Sequence, residues 1–145
     1  MIGEKIKILF ICVHNSARSQ IAEAFVNNSH DTSVIAESAG LEAGSLNPLA
    51  VEAMKEMGID ISVNKTKTVF EILKSGKAYD YVITVCDKAQ AERCPVFPGK
   101  GLRIHWDFPD PALFKGSREQ ILQQMHELRD KTAVKVKQLL SNINV

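Results

Sequence analysis

Apolar positions along the chain alternate between two spacings. IKILFIC, residues 6–12, is a short apolar run rich in β-branched residues and predicts a buried strand. SQIAEAFVNNS, 19–29, puts Ile21, Ala22, Phe25 and Val26 on one face of a helix. SVIAES, 33–38, predicts a second strand, and SAGLEAGSLNP a loop. A helix then starts at Pro48 with Asn47 as its cap, carries Leu49, Ala53, Met54 and Met57 at helical spacing, and stops at Gly58. A short helix is expected within 66–74 and a third strand at YDYVITVC, 79–86. Residues 87–100, polar and with two prolines, predict a mobile loop. GLRIHW, 101–106, predicts a fourth strand and WDFPDPAL, 106–113, a loop. Ser117 and Gln120 form a capping-box pattern ahead of a helix with Ile121, Leu122, Met125, Leu128, Val134, Val136 and Leu139 as its apolar positions.

Strands alternating with helices predict an α/β fold, one doubly wound domain over 1–145 with a parallel sheet. Such sheets bind ligands beyond the carboxyl ends of their strands, where Cys12, Cys86 and the loop after the fourth strand should gather. Composition agrees: 45% hydrophobic residues permit a core. The net charge is +1, from 18 basic and 17 acidic residues, so no field of one sign recruits nucleic acid or lipid. No apolar run is long enough for a membrane span, and MIGEKIKILF does not read as a secretory leader. Three cysteines, at 12, 86 and 94, are too few and odd for a disulfide scaffold, which points to a reducing cytoplasm. Zinc is not expected, because Cys86 and Cys94 have no close second pair of ligands.

The loop from Cys12 to Arg18, CVHNSAR, joins a strand to a helix, and His14 is its one sizeable interior side chain. Small residues let the backbone N–H groups of Val13, His14, Asn15, Ser16 and Ala17 converge on a tetrahedral oxyanion. Arg18 can add a forked contact, and the Ser16 and Ser19 hydroxyls can donate further. Asn15 suits a tight or left-handed conformation. Cys12 would sit beneath the anion, where the same donors favour thiolate. The plainer alternative is a buried cysteine at a strand end and a solvated arginine. The nucleotide-binding P-loop is excluded, for there is no G-x4-G-K pattern.

CVHNSARSQIAEAF, SAGLEAGSLNPLAVEAMKEMGIDIS, VITVC, the CP at 94–95 and HWDFPDP, in that order over nearly the whole chain, resemble the low-molecular-weight tyrosine phosphatases, and more closely the thioredoxin-coupled arsenate reductases built on that fold. The resemblance implies a three-layer domain with a four-stranded parallel sheet. It implies that Cys12 attacks arsenate, that Arg18 clamps the oxyanion, that Ser19 steadies the thiolate and that Asn15 holds the loop. Asp110, in an Asp-Pro step, resembles the general acid, and Asp107 is its nearby competitor. Cys86 and Cys94 resemble the thiols of a relay in which Cys12–Cys86 forms first and passes to Cys86–Cys94. Thioredoxin then supplies the electrons, and glutaredoxin with glutathione is the variant to exclude. No bound cofactor is implied, and the chain is expected to act as a monomer in the cytoplasm.

Three departures qualify this reading. Some reductases of the family seat potassium on an asparagine, a glutamate, a serine and an aspartate. Asn15, Glu23 and Ser38 match the first three, but Lys67 falls at the aspartate's place, so potassium is expected to be unnecessary. Lys67 solvated and out of register is the alternative. Seven residues separate Cys86 from Cys94, slightly more than in the relatives, at little cost in closure entropy. Ala17 stands where some relatives carry an extra cysteine. Ala112 and Leu113 follow the Asp-Pro step where phosphatases place aromatic walls, leaving Phe108 or Phe114 to line the mouth. Phosphate-ester hydrolysis through a phosphocysteine is the alternative activity.

Overall fold

The computed structural model describes residues 5–95, 97 and 101–143. Its strands are β1 (Ile6–Cys12), β2 (Val34–Gly40), β3 (Tyr81–Cys86) and β4 (Leu102–Asp107), all parallel, in the order β2-β1-β3-β4. Its helices are α1 (Arg18–Asn27), α2 (Pro48–Lys55), α3 (Val69–Lys74), α4 (Lys88–Ala91) and α5 (Arg118–Ile143), with a 3-10 turn at Pro111–Leu113.

Strand β1 is central, and its residues from Ile8 to Cys12 are buried on both sides. That explains an unbroken apolar run where a half-exposed strand would alternate. Ile8, Phe10 and Cys12 pack with residues of α1, α2 and α5 on one face. Leu9 and Ile11 pack with Val69 and Ile72 of α3, and with Cys94, on the other. The chain is therefore a three-layer α/β domain with a four-stranded parallel sheet between helices.

Local chemistry sets the helix ends. The Asn47 Oδ1 accepts the N–H groups of Leu49 and Ala50 at 2.9 and 3.3 Å, ahead of Pro48 in the first turn. Gly58, at φ 77°, closes the turn after α2. Thr68 and Glu71 cap α3 reciprocally, as Ser117 and Gln120 do at the start of α5.

Several expectations need correction. The stretch read as a mobile loop holds α4, because the Asp87 carboxylate accepts the Gln90 N–H at 2.9 Å and starts a helical turn. Residues 96 and 98–100 of that stretch lie outside the described residues. Met57 is 50% exposed, since α2 ends at Lys55 and the turn beyond carries it outward. Val134 is 56% exposed. Thr132 takes the buried place on α5 by returning its hydroxyl hydrogen to Leu128 O at 2.7 Å.

Candidate active site

The sheet order makes β1 and β3 neighbours across the point where the chain reverses direction, so the loops leaving their carboxyl ends diverge to leave a crevice. Cys12 ends β1 and Cys86 ends β3.

The loop after Cys12 is shaped from outside. Its carbonyls at Cys12, Val13, His14 and Ser16 accept the N–H groups of Leu41, Glu42, Gly44 and Asn47, at 2.8–3.1 Å. With the carbonyls turned away, the N–H side of the loop faces the sulfur, and the Asn15 N–H reaches the Cys12 Sγ at 3.2 Å. Gly40 makes this packing possible. A Cβ there would lie 2.6 Å from the Asn15 nitrogen and 2.7 Å from the Glu42 oxygen.

Asn15 holds the left-handed conformation, at φ 56°, and is fully buried. Its Nδ2 donates to the Ser19 and Ser38 hydroxyls at 2.8 and 2.9 Å. Its Oδ1 accepts from the Gln20 Nε2 and the Lys67 backbone N–H, both at 3.1 Å. Ser38 passes its own hydrogen to Glu23 at 3.0 Å. Because the Ser19 oxygen already accepts from Asn15, its hydrogen is free for the Cys12 sulfur 2.9 Å away. A continuous chain of bonds thus runs from Glu23 to the sulfur.

Burial raises the Glu23 carboxyl above its ordinary value, and the Lys67 charge partly offsets this. The donors expected to suit a cation are committed elsewhere: Asn15 Oδ1 takes two N–H groups, and the Ser38 hydroxyl is used in both directions. With Lys67 acting on Glu23 as well, the set does not fit bound potassium. Lys67 meets the loop through its backbone N–H, which donates to Asn15, and its charge acts on the Glu23 carboxyl.

Arg18 is 3% exposed; its guanidinium donates to Phe108 O at 3.3 Å and lies 3.8 Å from Asp110 Oδ1. Asp110 Oδ1 also accepts the Ala112 N–H at 2.9 Å. Cys12, His14, Ser16, Ala17, Arg18, Asn47, Asp110, Pro111 and Ala112 line one small pocket of about 40 Å³. That is room for a tetrahedral ion, and among the described residues no Phe, Tyr or Trp ring stands in its wall. Phe108 is core, at 1% exposure, and Phe114 lines a separate groove beside α5, so neither walls the mouth. Asp107, exposed at the end of β4, is outside the lining. His14 rims the pocket 3.5 Å from Glu42.

All three cysteines are free and buried. Cys86 packs with Val13 of the anion loop and Ala91 of α4. Burial pushes its thiol up to about 11, Arg18 pulls it down, and Cys12 and Cys94 each push it up. Cys86 thus adjoins the anion loop through Val13 and the turn that leads to Cys94 through Ala91. Cys94 was expected in an open loop and instead lies 7% exposed against Leu9, Ile11, Leu41 and Val82.

The sequence reading missed Gly40 and Gln20 and gave Asn47 only a capping role. The signal for Gly40 was a glycine at the end of a strand beside a Gly-rich loop. Nothing local marked Gln20, whose partners Asn64 and Lys65 lie 44 and 45 residues on.

A family model described as low molecular weight phosphotyrosine protein phosphatase matches residues 7–145. An arsenate reductase of Shouchella clausii is 41% identical over 130 residues, covering 90% of this chain and 91% of that protein. Among solved structures, an arsenate reductase in the phosphate binding state aligns at TM-score 0.75 and 28% identity, over 95% of this chain and 98% of the other. A thioredoxin-dependent arsenate reductase of Corynebacterium glutamicum aligns at TM-score 0.75 and 29% identity, over 99% of this chain and 64% of that one.

Proposed function

The chain belongs to the low molecular weight phosphotyrosine protein phosphatase family, and we propose that it works there as an arsenate reductase regenerated by thioredoxin. The observation that carries this reading is the packing of Cys86 against Val13, the neighbour of the Cys12 that lines an ion-sized pocket, and against Ala91 of the turn that leads to Cys94. A phosphatase needs one thiol and water; a reductase needs two more electrons, and thiols within reach supply them.

The Cys12 thiolate attacks arsenic and displaces a hydroxyl, which leaves as water on taking the Asp110 proton. Arg18 and the loop N–H groups hold the charge that builds on the oxygens. The Cys86 thiolate then attacks the Cys12 sulfur. The electron pair of the sulfur–arsenic bond stays on arsenic, arsenite departs, and Cys12–Cys86 is formed. The Cys94 thiolate attacks Cys86, giving Cys86–Cys94 and returning Cys12 as thiolate. The dithiol of thioredoxin reduces that last bridge. On this reading a single domain, 1–145, carries the whole sequence of steps. We place the protein in a reducing cytoplasm as a monomer, with arsenate as its oxyanion.

Phosphate-ester hydrolysis is the secondary reading. The same cradle holds phosphate, but a pocket wall without a Phe, Tyr or Trp ring among the described residues does not favour an aryl ester.

The test mixes reduced protein with arsenate and no external reductant, then titrates arsenite and maps disulfides. One arsenite per chain with a Cys86–Cys94 bridge is expected. Cys94→Ser should still release one arsenite but accumulate Cys12–Cys86. Absence of arsenite, with phosphate esters hydrolysed instead, would give the site to the phosphatase. Replacing thioredoxin by glutaredoxin and glutathione identifies the electron donor.

A further inference from the structure

For Cys94 to reach Cys86 it must leave an apolar bed, and the structure shows what holds it there. The turn that carries it, α4 and the residues after it, is tied to the sheet at two points. The Arg103 guanidinium, reaching from β4, donates to Ala91 O at 2.7 Å and more weakly to Cys94 O at 3.5 Å. Beyond the cysteine, the Phe97 ring meets Tyr79 edge-on, with centroids 6.2 Å apart. Tyr79 is itself fixed through its hydroxyl, which donates to Glu37 at 2.7 Å. Between the two ties, Cys94 is buried among Leu9, Ile11, Leu41 and Val82.

The ties differ in kind. The ring contact is apolar and local to residue 97. The guanidinium bond is charge-assisted, grips the main chain on the C-terminal side of α4, and comes from an exposed residue that water can compete for. A tie of that sort opens and recloses without loss of the core.

We propose that Arg103 is a positioning residue of the relay: its guanidinium clasps the Cys94-bearing turn to β4, and release of that clasp gates the transfer of the disulfide from Cys12–Cys86 to Cys86–Cys94. The inference rests on the reductase reading for its purpose, but the clasp itself does not depend on it. The gated step is exchange with no net oxidation. Cys94 gives up its proton to solvent, its sulfur bonds Cys86, the Cys12–Cys86 bond breaks, and Cys12 departs as thiolate. Arg103 contributes a second effect in the closed state. Burial raises the Cys94 thiol, and the Arg103 charge opposes that rise.

The test separates opening from ionisation. In full-length protein carrying Cys12→Ser and Cys86→Ser, Cys94 is the sole thiol, and its reaction with a neutral alkylating reagent is followed against pH. The high-pH plateau reports opening alone. Arg103→Gln should raise the plateau roughly tenfold, the order expected for losing one charge-assisted bond. Arg103→Lys, which keeps the charge, should fall between the two. In protein with all three cysteines, acid quenching early after arsenate addition should find the ratio of Cys86–Cys94 to Cys12–Cys86 raised by Arg103→Gln. A plateau within twofold of the parent overturns the clasp. A raised plateau with an unchanged disulfide ratio overturns the gating. Failure of the reductase reading looks different, for no arsenite or disulfide forms while the alkylation result stands.

Discussion

The Cys12 sulfur and the hydroxyl oxygen of Ser19, the second residue of α1, lie 2.9 Å apart, and the same oxygen accepts from the Asn15 amide. Ser19 receives from the Asn15 amide, and its own hydrogen is available to the sulfur. Among the described residues its hydroxyl is the one side-chain group hydrogen-bonded to the Cys12 sulfur. Ser19→Ala should slow the arsenite burst about tenfold while leaving the fold intact, because one donor to a developing thiolate is lost and nothing large is removed. Single-turnover rates with circular dichroism check it; an unchanged burst would refute the hydrogen-bond role.

Asp110 and Asp107 part company in the structure. Asp110 lines the pocket and faces Arg18, whereas Asp107 is exposed at the end of β4 and outside the lining. Asp110→Asn should lower arsenate turnover about 100-fold or more, the usual loss for a general acid. Asp107→Asn should change it less than about twofold, as an exposed substitution does. Equal losses in the two variants would reassign the acid.

Gly40 faces the Cys12 loop so closely that a methyl group meets backbone rather than a yielding side chain. Gly40→Ala should cost about 1–3 kcal/mol of stability through overpacking. It should also weaken competitive inhibition by phosphate, since the loop must shift. Denaturant unfolding and phosphate inhibition constants measure the two effects. Phosphate binding unaltered in a destabilised variant would show that the loop tolerates the shift.

Glu23 supplies a pH signature. Burial raises its carboxyl above the ordinary 4.5 despite Lys67 and Ser38. The folded state therefore keeps this proton at pH values where the unfolded chain has lost it. That stabilisation is complete below the ordinary value and is lost as pH rises through the folded one. Glu23→Gln should melt a few degrees higher than the parent near about pH 7, with the difference closing towards about pH 4. A destabilised Gln variant at neutral pH would mean that the pairing with Lys67 outweighs burial.

Lys67 makes a separate prediction about salts. Its charge acts on Glu23, and the neighbouring donors are already bonded. Turnover in sodium and potassium salts at one ionic strength should agree within experimental scatter. A clear gain in potassium would place a cation where the lysine is argued to serve.

The elements that sequence alone determined are those whose instructions are local. The apolar run at 6–12 could only be a strand covered on both faces. Asn47 before Pro48, Thr68 with Glu71 and Ser117 with Gln120 cap their helices with atoms a few residues apart. Cys12 and Arg18 were suggested locally as well, by a strand, small residues and a helix start, and both line one pocket. What tertiary structure decided are the pairings between distant segments. Arg18 meets Asp110 across 92 positions, and Arg103 grips Ala91 across a bend; which pairs meet is set by strand order. Cys94 shows the difference most plainly. Its neighbours along the chain are polar, so it read as exposed. The sheet face beneath it is apolar, and folding buries it there, because burial depends on what the residue lands against.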